Sequence, residues 1–171
     1  VEASGLDERT GLDIEHAMAV WDATFSLYRA DSELSRIAAG TLTLADSPEP
    51  VREAYALALD WSGRTDGAFT PHRPDGVLDL DGVVKALAIA EVGQILEAAG
   101  CRSVTINVGG DILISPRPIE DAVIAGIVDP ADRTRLLTSV RLGGTRRAMA
   151  TSGSAERGDH IWLGGSRAPA E

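Results

Sequence analysis

A chain of 171 residues, 44% hydrophobic and 25% charged, has the size and make-up of one globular domain with a real core. Sixteen basic against twenty-six acidic side chains leave a formal charge of −10, which opposes binding to nucleic acid or to an anionic membrane surface. The single cysteine, Cys101, excludes an intramolecular disulfide and a cysteine metal cage. A polyanionic ligand would therefore have to be met locally, by main-chain N–H groups, a few basic side chains or a metal ion. There is no apolar run of roughly 18 residues to span a membrane, and no basic stretch followed by an apolar core at the start. No anchor or export signal is expected within these residues, and the compartment, cytoplasmic or facing the cell envelope, stays open.

In chain order, Val1-Glu2-Ala3-Ser4-Gly5 reads as the tail of a strand and a turn. Ile14, Met18, Trp21 and Phe25 recur at helical spacing and predict an amphipathic helix over 12–25. The polar stretch 26–37 predicts a loop carrying Tyr28 and then a helical turn, capped by Asp31 or Ser32 and supported by Glu33. A second helix is expected after Ser47 as cap, with Pro48 in its first turn. Its buried face would comprise Val51, Tyr55, Ala58, Leu59 and Trp61, and it would end near Gly63. A proline-broken loop through Pro71 and Pro74 leads to a third helix over 83–99, stopped by Gly100. Strands are then expected at 103–108, 112–114, 122–128, 136–142 and 147–151, with Gly143-Gly144 as a hairpin turn. Helices first and strands second make an α+β fold.

Asp79-Leu80-Asp81-Gly82-Val83-Val84-Lys85 stands out in this order: two carboxylates run into a helix start that carries a lysine. Helix starts hold anions, because unpaired N–H groups and the positive end of the helix dipole point there. Gly82 would let a ligand come close to the main chain. The sequence has no Gly-Lys-Ser/Thr phosphate loop, no Gly-x-Gly-x-x-Gly turn and no His-Glu-x-x-His helix, and His16, His72 and His160 lack metal-ligand spacing. Small-residue turns at Asp66-Gly67-Ala68-Phe69, at 79–85, at Asn107 to Asp111 and at Thr151-Ser152-Gly153 could each present N–H groups to a phosphate.

Together these turns resemble a family. Tyr28 with Ser32-Glu33-Leu34-Ser35-Arg36, Asp66 to Phe69, Asp79 to Lys85, Asn107 to Asp111, Thr151 to Gly153 and His160-Ile161 stand in the order of the motifs of the ApbE family, the FAD:protein FMN transferases. The resemblance implies a single ApbE-like, T-fold-like α+β domain over 1–171, helix-rich first and antiparallel strand-rich second, with both edges expected to be incomplete. It implies FAD as substrate, Mg²⁺ as the metal, and FMN placed on a threonine hydroxyl of an acceptor flavoprotein with release of AMP. By the same resemblance Tyr28 stacks on the isoalloxazine ring, and Ala68, Phe69 and Thr70 contact FAD. Asp79 and Lys85 hold its ribose and phosphates, Ile161 lines the flavin pocket, the Gly82 carbonyl is a magnesium ligand, and His160 accepts a proton.

The chain departs from the family pattern at four places. Thr70 stands where the family has Asp, Ala86 where it prefers Gly, and Trp162-Leu163-Gly164-Gly165-Ser166 where it has Asp-Pro and Thr-Gly. The family's terminal Asp-Ala-x-x-Thr, which supplies side-chain magnesium ligands, has no counterpart before Glu171. Two other expectations therefore stand beside transfer. One is a non-catalytic FAD-binding or delivery protein of the same fold, and the other is hydrolysis of FAD to FMN and AMP.

Overall fold

The computed structural model describes residues 6–152, together with the backbone of 162–163 and 166–167. The chain opens with α1 (Glu8–Phe25), and Asp7 is its N-cap. The Asp7 carboxylate accepts from the Thr10 N–H at 2.9 Å and the Thr10 hydroxyl at 3.0 Å. The helix therefore starts a turn earlier than the apolar stripe predicts, because its first turn is held by a cap rather than by burial. Of the two caps open for α2 (Glu33–Ala38), Ser32 is the one used, and its hydroxyl accepts from the Ser35 N–H.

α3 (Glu49–Arg64) corrects two expectations. Pro48 occupies the N-cap and Pro50 lies in the first turn, while Ser47 is buried before the helix and donates its hydroxyl to the Leu44 carbonyl at 2.7 Å. Its buried residues are Val51, Ala54 and Ala58, whereas Leu59 and Trp61 face solvent and Arg64 lies over the Trp61 ring at 4.2 Å. That stacking gives the indole a cationic neighbour in place of a core.

α4 (Asp81–Ala98) is the hub. Val83 and Val84 enter one apolar cluster with Phe25, Leu34, Val51, Ala54, Ala58, Leu78 and Leu80. Ile89, Val92 and Leu96 enter a second with Ile14 and Ile106. A helix that is apolar on opposite sides must be buried on both, and α4 lies against α1, α3 and the following sheet. Gly93 permits the approach to that sheet, since a Cβ there would lie 3.2 Å from Leu113 Cδ2. The helix stops as expected: Gly100 has φ +81°, its N–H reaches the Glu97 carbonyl, and the Cys101 N–H reaches that of Leu96. These two bonds form a Schellman closure.

β1 (Thr105–Val108) and β2 (Asp111–Ile114) pair antiparallel, with Val108 opposite Asp111. Gly109 and Gly110, at φ +58° and +92°, make the two-residue turn. They fold one strand back on the other, so the gap between the two expected strands is a tight turn. β3 (Val123–Val128) pairs with β4 (Leu136–Leu142) in a separate two-stranded sheet, and β5 (Ala148–Met149) pairs with β2. Gly143 bridges Arg146, so the expected turn forms, but it passes the chain from one sheet to the other instead of joining paired strands. Ile114, Ala125 and Leu142 knit the two sheets together. β6 (Trp162–Leu163) and β7 (Ser166–Arg167), unforeseen in the sequence, form a further antiparallel pair. The α+β expectation holds, and among the described residues no helix is long and apolar enough to cross a membrane.

Candidate functional site

A cleft of about 610 Å³ opens between the start of α4, the loop before it, β2 and the segment after β5. Arg73 and Asp79 come from the loop, and Asp81, Gly82, Lys85 and Ala86 from the first turns of α4. Asp111 stands at the head of β2, Ala150, Thr151 and Ser152 form the far wall, and Tyr28 closes one side from the loop after α1. Three of the four small-residue motifs, distant in sequence, thus meet around one space.

The helix start is already occupied by protein. Asp79 Oδ1 accepts the Asp81 N–H at 3.0 Å, and the Val83 and Val84 N–H groups both reach the Leu80 carbonyl. A carboxylate here satisfies one of the donors, and meets the dipole, that an anionic ligand would otherwise use. Because α4 opens at Asp81 rather than Val83, Lys85 lies just past the first turn, where its Nζ forms an ion pair with Asp111 Oδ2 at 2.9 Å. The other oxygen of Asp111 accepts the Thr151 N–H at 2.7 Å, and the Thr151 hydroxyl donates to the Gly110 carbonyl at 2.8 Å. Lys85, the Gly109-Gly110 turn and the far wall are therefore one hydrogen-bonded unit. Asp111 and Thr151 were legible as parts of motifs, but their link to Lys85 joins positions too far apart for local spacing to reveal.

Tyr28 is 89% exposed, so its ring faces are open to a planar partner. The loop that carries it is fixed by the Ser-Glu-Leu-Ser segment: the hydroxyls of Ser32 and Ser35 both donate to the Ser26 carbonyl, at 2.6 and 3.1 Å. Ala68 and Thr70 are exposed, and Phe69 is half-buried; none of the three is among the residues lining the cleft. Phe69 packs instead against Gly82, where an added Cβ would lie 2.5 Å from Phe69 Cε2. The glycine therefore admits a ring of the protein itself, and it also borders the cleft. His16 is exposed on α1, away from the cleft. His160 and Ile161 lie outside the described residues.

Among the described residues no three His, Cys, Asp or Glu side chains are grouped to hold a metal ion. The Gly82 carbonyl belongs to the first turn of α4, and one carbonyl does not meet the octahedral oxygen demand of magnesium. These residues by themselves do not fit a resident magnesium ion.

The family model of the ApbE family matches residues 72–161. The chain is similar in structure to the ApbE protein of Thermotoga maritima, with a TM-score of 0.72 and 18% identity over 96% of this chain and 69% of that one. It is also similar to the flavinyl transferase ApbE of Pseudomonas stutzeri, with a TM-score of 0.70 and 20% identity over 99% of this chain and 70% of that one. The flavin transferase ApbE of Vibrio cholerae follows, with a TM-score of 0.68 and 19% identity over 94% and 69%. At these identities the likeness speaks to the fold. No curated protein sequence matches the chain.

Proposed function

Because the chain belongs to the ApbE family, we propose that it is a flavin transferase that takes FMN from FAD and places it on a threonine hydroxyl of an acceptor flavoprotein. The observation that carries this reading is the cleft, where an exposed aromatic ring and an ammonium group border one space. That pair suits a planar ring system joined to a pyrophosphate. The similarity to the flavin transferases of Vibrio cholerae and Pseudomonas stutzeri points the same way.

In this reading Tyr28 stacks on the isoalloxazine, Lys85 donates to pyrophosphate oxygens and Asp79 accepts from a ribose hydroxyl. Ala68 and Thr70 lie along the nucleotide, Phe69 acts from beneath Gly82 by shaping the helix start, and Ile161 lines the flavin pocket. The acceptor hydroxyl oxygen attacks the phosphorus on the riboflavin side of the pyrophosphate. A new P–O bond forms as the bond to the bridging oxygen breaks, and AMP leaves with that oxygen. The hydroxyl proton passes to a base, a role given to His160. Magnesium enters as a dependence to be measured, and no step is routed through it.

The test combines the purified protein, FAD and a threonine-bearing peptide of the acceptor, with magnesium present or chelated. Covalent flavin fluorescence on the peptide and AMP in equal amounts is the expected result. Bound FAD with neither product would move the assignment to a binding or delivery protein, and AMP without labelled peptide to hydrolysis.

A further inference from the structure

We propose that Asp111 makes the cleft selective for an internal pyrophosphate over a terminal phosphate monoester, by offsetting part of the charge of Lys85. The proposal rests on the flavin-nucleotide reading above and adds a discrimination that this reading does not require. Lys85 and Asp111 are in contact at 2.9 Å, with side chains only 29% and 18% exposed, so solvent screens the pair weakly. Asp111 is also held from behind, since its second oxygen accepts the Thr151 N–H. It therefore stays beside the ammonium when a ligand arrives.

Among the described residues, the charged groups facing this space are Arg73 and Asp79 from the loop, Asp81 and Lys85 from α4, and Asp111 from β2; Ala150 to Ser152 bring none. Three carboxylates against two cations do not make a general anion trap. An ammonium has three N–H donors, and with one given to Asp111 two remain for ligand oxygens. The two phosphates of a pyrophosphate diester carry about one charge each. A monoester gains its second charge near pH 6, as phosphorylated side chains do. A carboxylate fixed within a few ångströms of the bound phosphate disfavours that second charge. Free FMN keeps the flavin ring of FAD, and AMP, the released product, keeps its adenine, so ring contacts cannot separate FAD from a monoester that carries one of its rings. The phosphate ending can, and Asp111 is placed to read it.

The experiment titrates the wild-type protein and Asp111→Asn with FAD and FMN from pH 5.5 to 8. Asparagine keeps an oxygen for the Thr151 N–H and sets an uncharged amide NH2 where the charged oxygen meets Lys85. Wild-type affinity for FMN should fall as pH rises through about 6 while that for FAD stays level. At pH 8 the Asn variant should bind FMN about tenfold tighter than wild type, should gain much less for FAD, and should lose the pH slope for FMN. The inference is overturned if the FMN to FAD affinity ratio is the same in both proteins. It is overturned equally, without any variant, if wild type binds FMN as tightly at pH 8 as at pH 5.5. Failure of wild type to bind FAD at any pH would remove the functional reading and this inference with it, a result distinct from an unchanged ratio.

Discussion

Leu34, Val51, Ala58 and Leu80 come from three segments of the helical part and are fully closed to solvent, whereas Ile124, Leu136 and Leu137 of the β3–β4 pair are each more than half exposed. Both regions are rich in apolar side chains, so the difference lies in what stands behind them. The helices surround α4, which is apolar on opposite sides and gives each neighbour a surface to bury against. The β3–β4 sheet has two strands, and only its base, through Ala125 and Leu142, reaches other buried residues. A two-stranded sheet is marginal by itself. The cleft lies on the well-supported side, with α4 as its floor.

The largest expected effect breaks this asymmetry where it is strongest. Leu34→Ala removes a fully buried side chain from the first cluster and should cost about 2–5 kcal/mol in denaturant unfolding. Leu137→Ala, the same change at a side chain 54% exposed, should stay within about 0.5 kcal/mol. Equal losses at the two sites would show that the hairpin is as well packed as the helices.

A smaller effect sharpens the comparison at the cleft. Gly82→Ala has two consequences of opposite sign: alanine is the better helix residue by up to about 1 kcal/mol, yet its Cβ would meet the Phe69 ring at 2.5 Å. Overpacking of this kind costs about 1–3 kcal/mol, so a net loss of about 1–2 kcal/mol is expected in the wild-type background. With Phe69→Ala already present, the same change should be neutral or stabilising. A double-mutant cycle by denaturant unfolding measures the difference, and additive changes would mean that the ring and the glycine are independent.

The same pair explains what the sequence could and could not disclose. Helices with apolar side chains at regular spacing were legible because their faces are written locally: Ile14 and Phe25 in α1, Val51 and Ala58 in α3. Their starts were less so. The cap at Asp7 precedes a polar first turn, and α4 admits Asp81 and Gly82 because Asp79 and Phe69 support them from outside the helix. Leu59 and Trp61 fit the period of α3 yet face solvent, since nothing in a period says where the neighbours end. At the site, Tyr28, Asp79, Gly82 and Lys85 were singled out and do meet at one cleft. The resemblance gives Ala68, Phe69 and Thr70 the same ligand, although Phe69 is turned toward the packing under α4 and its flanking residues lie off the cleft. The bond between Lys85 and Asp111 depends on how the β1–β2 hairpin lies against α4, which neither motif encodes.

Acid should separate the two regions most gently. The loop between β3 and β4 is tied by two carboxylates. Asp129 accepts the Ala131 N–H at 2.8 Å and pairs with Arg135, and Asp132 accepts from the Thr134 hydroxyl at 2.7 Å and the Thr134 N–H at 3.0 Å. These bonds hold both acids below the ordinary carboxylate range, the Ala131 N–H acting most on Asp129 and the Thr134 hydroxyl most on Asp132. A carboxyl lowered on folding stabilises the fold above its unfolded value, near 4, and loses that contribution as pH falls through the folded value beneath it. Asp7, lowered by the Thr10 N–H, loses its hold on α1 in the same window. The two losses have different reach, because α1 still has Ile14, Ala17 and Phe25 buried, whereas the loop at 129–135 has few apolar side chains closed to solvent behind it. Amide exchange followed from about pH 4 to pH 2 should therefore show protection lost first at 129–135. Fraying at the first turn of α1 should accompany it, and the amides of α4 should stay protected. Loss of protection in α4 and in the hairpin at the same pH would mean that the two regions unfold as one cooperative unit.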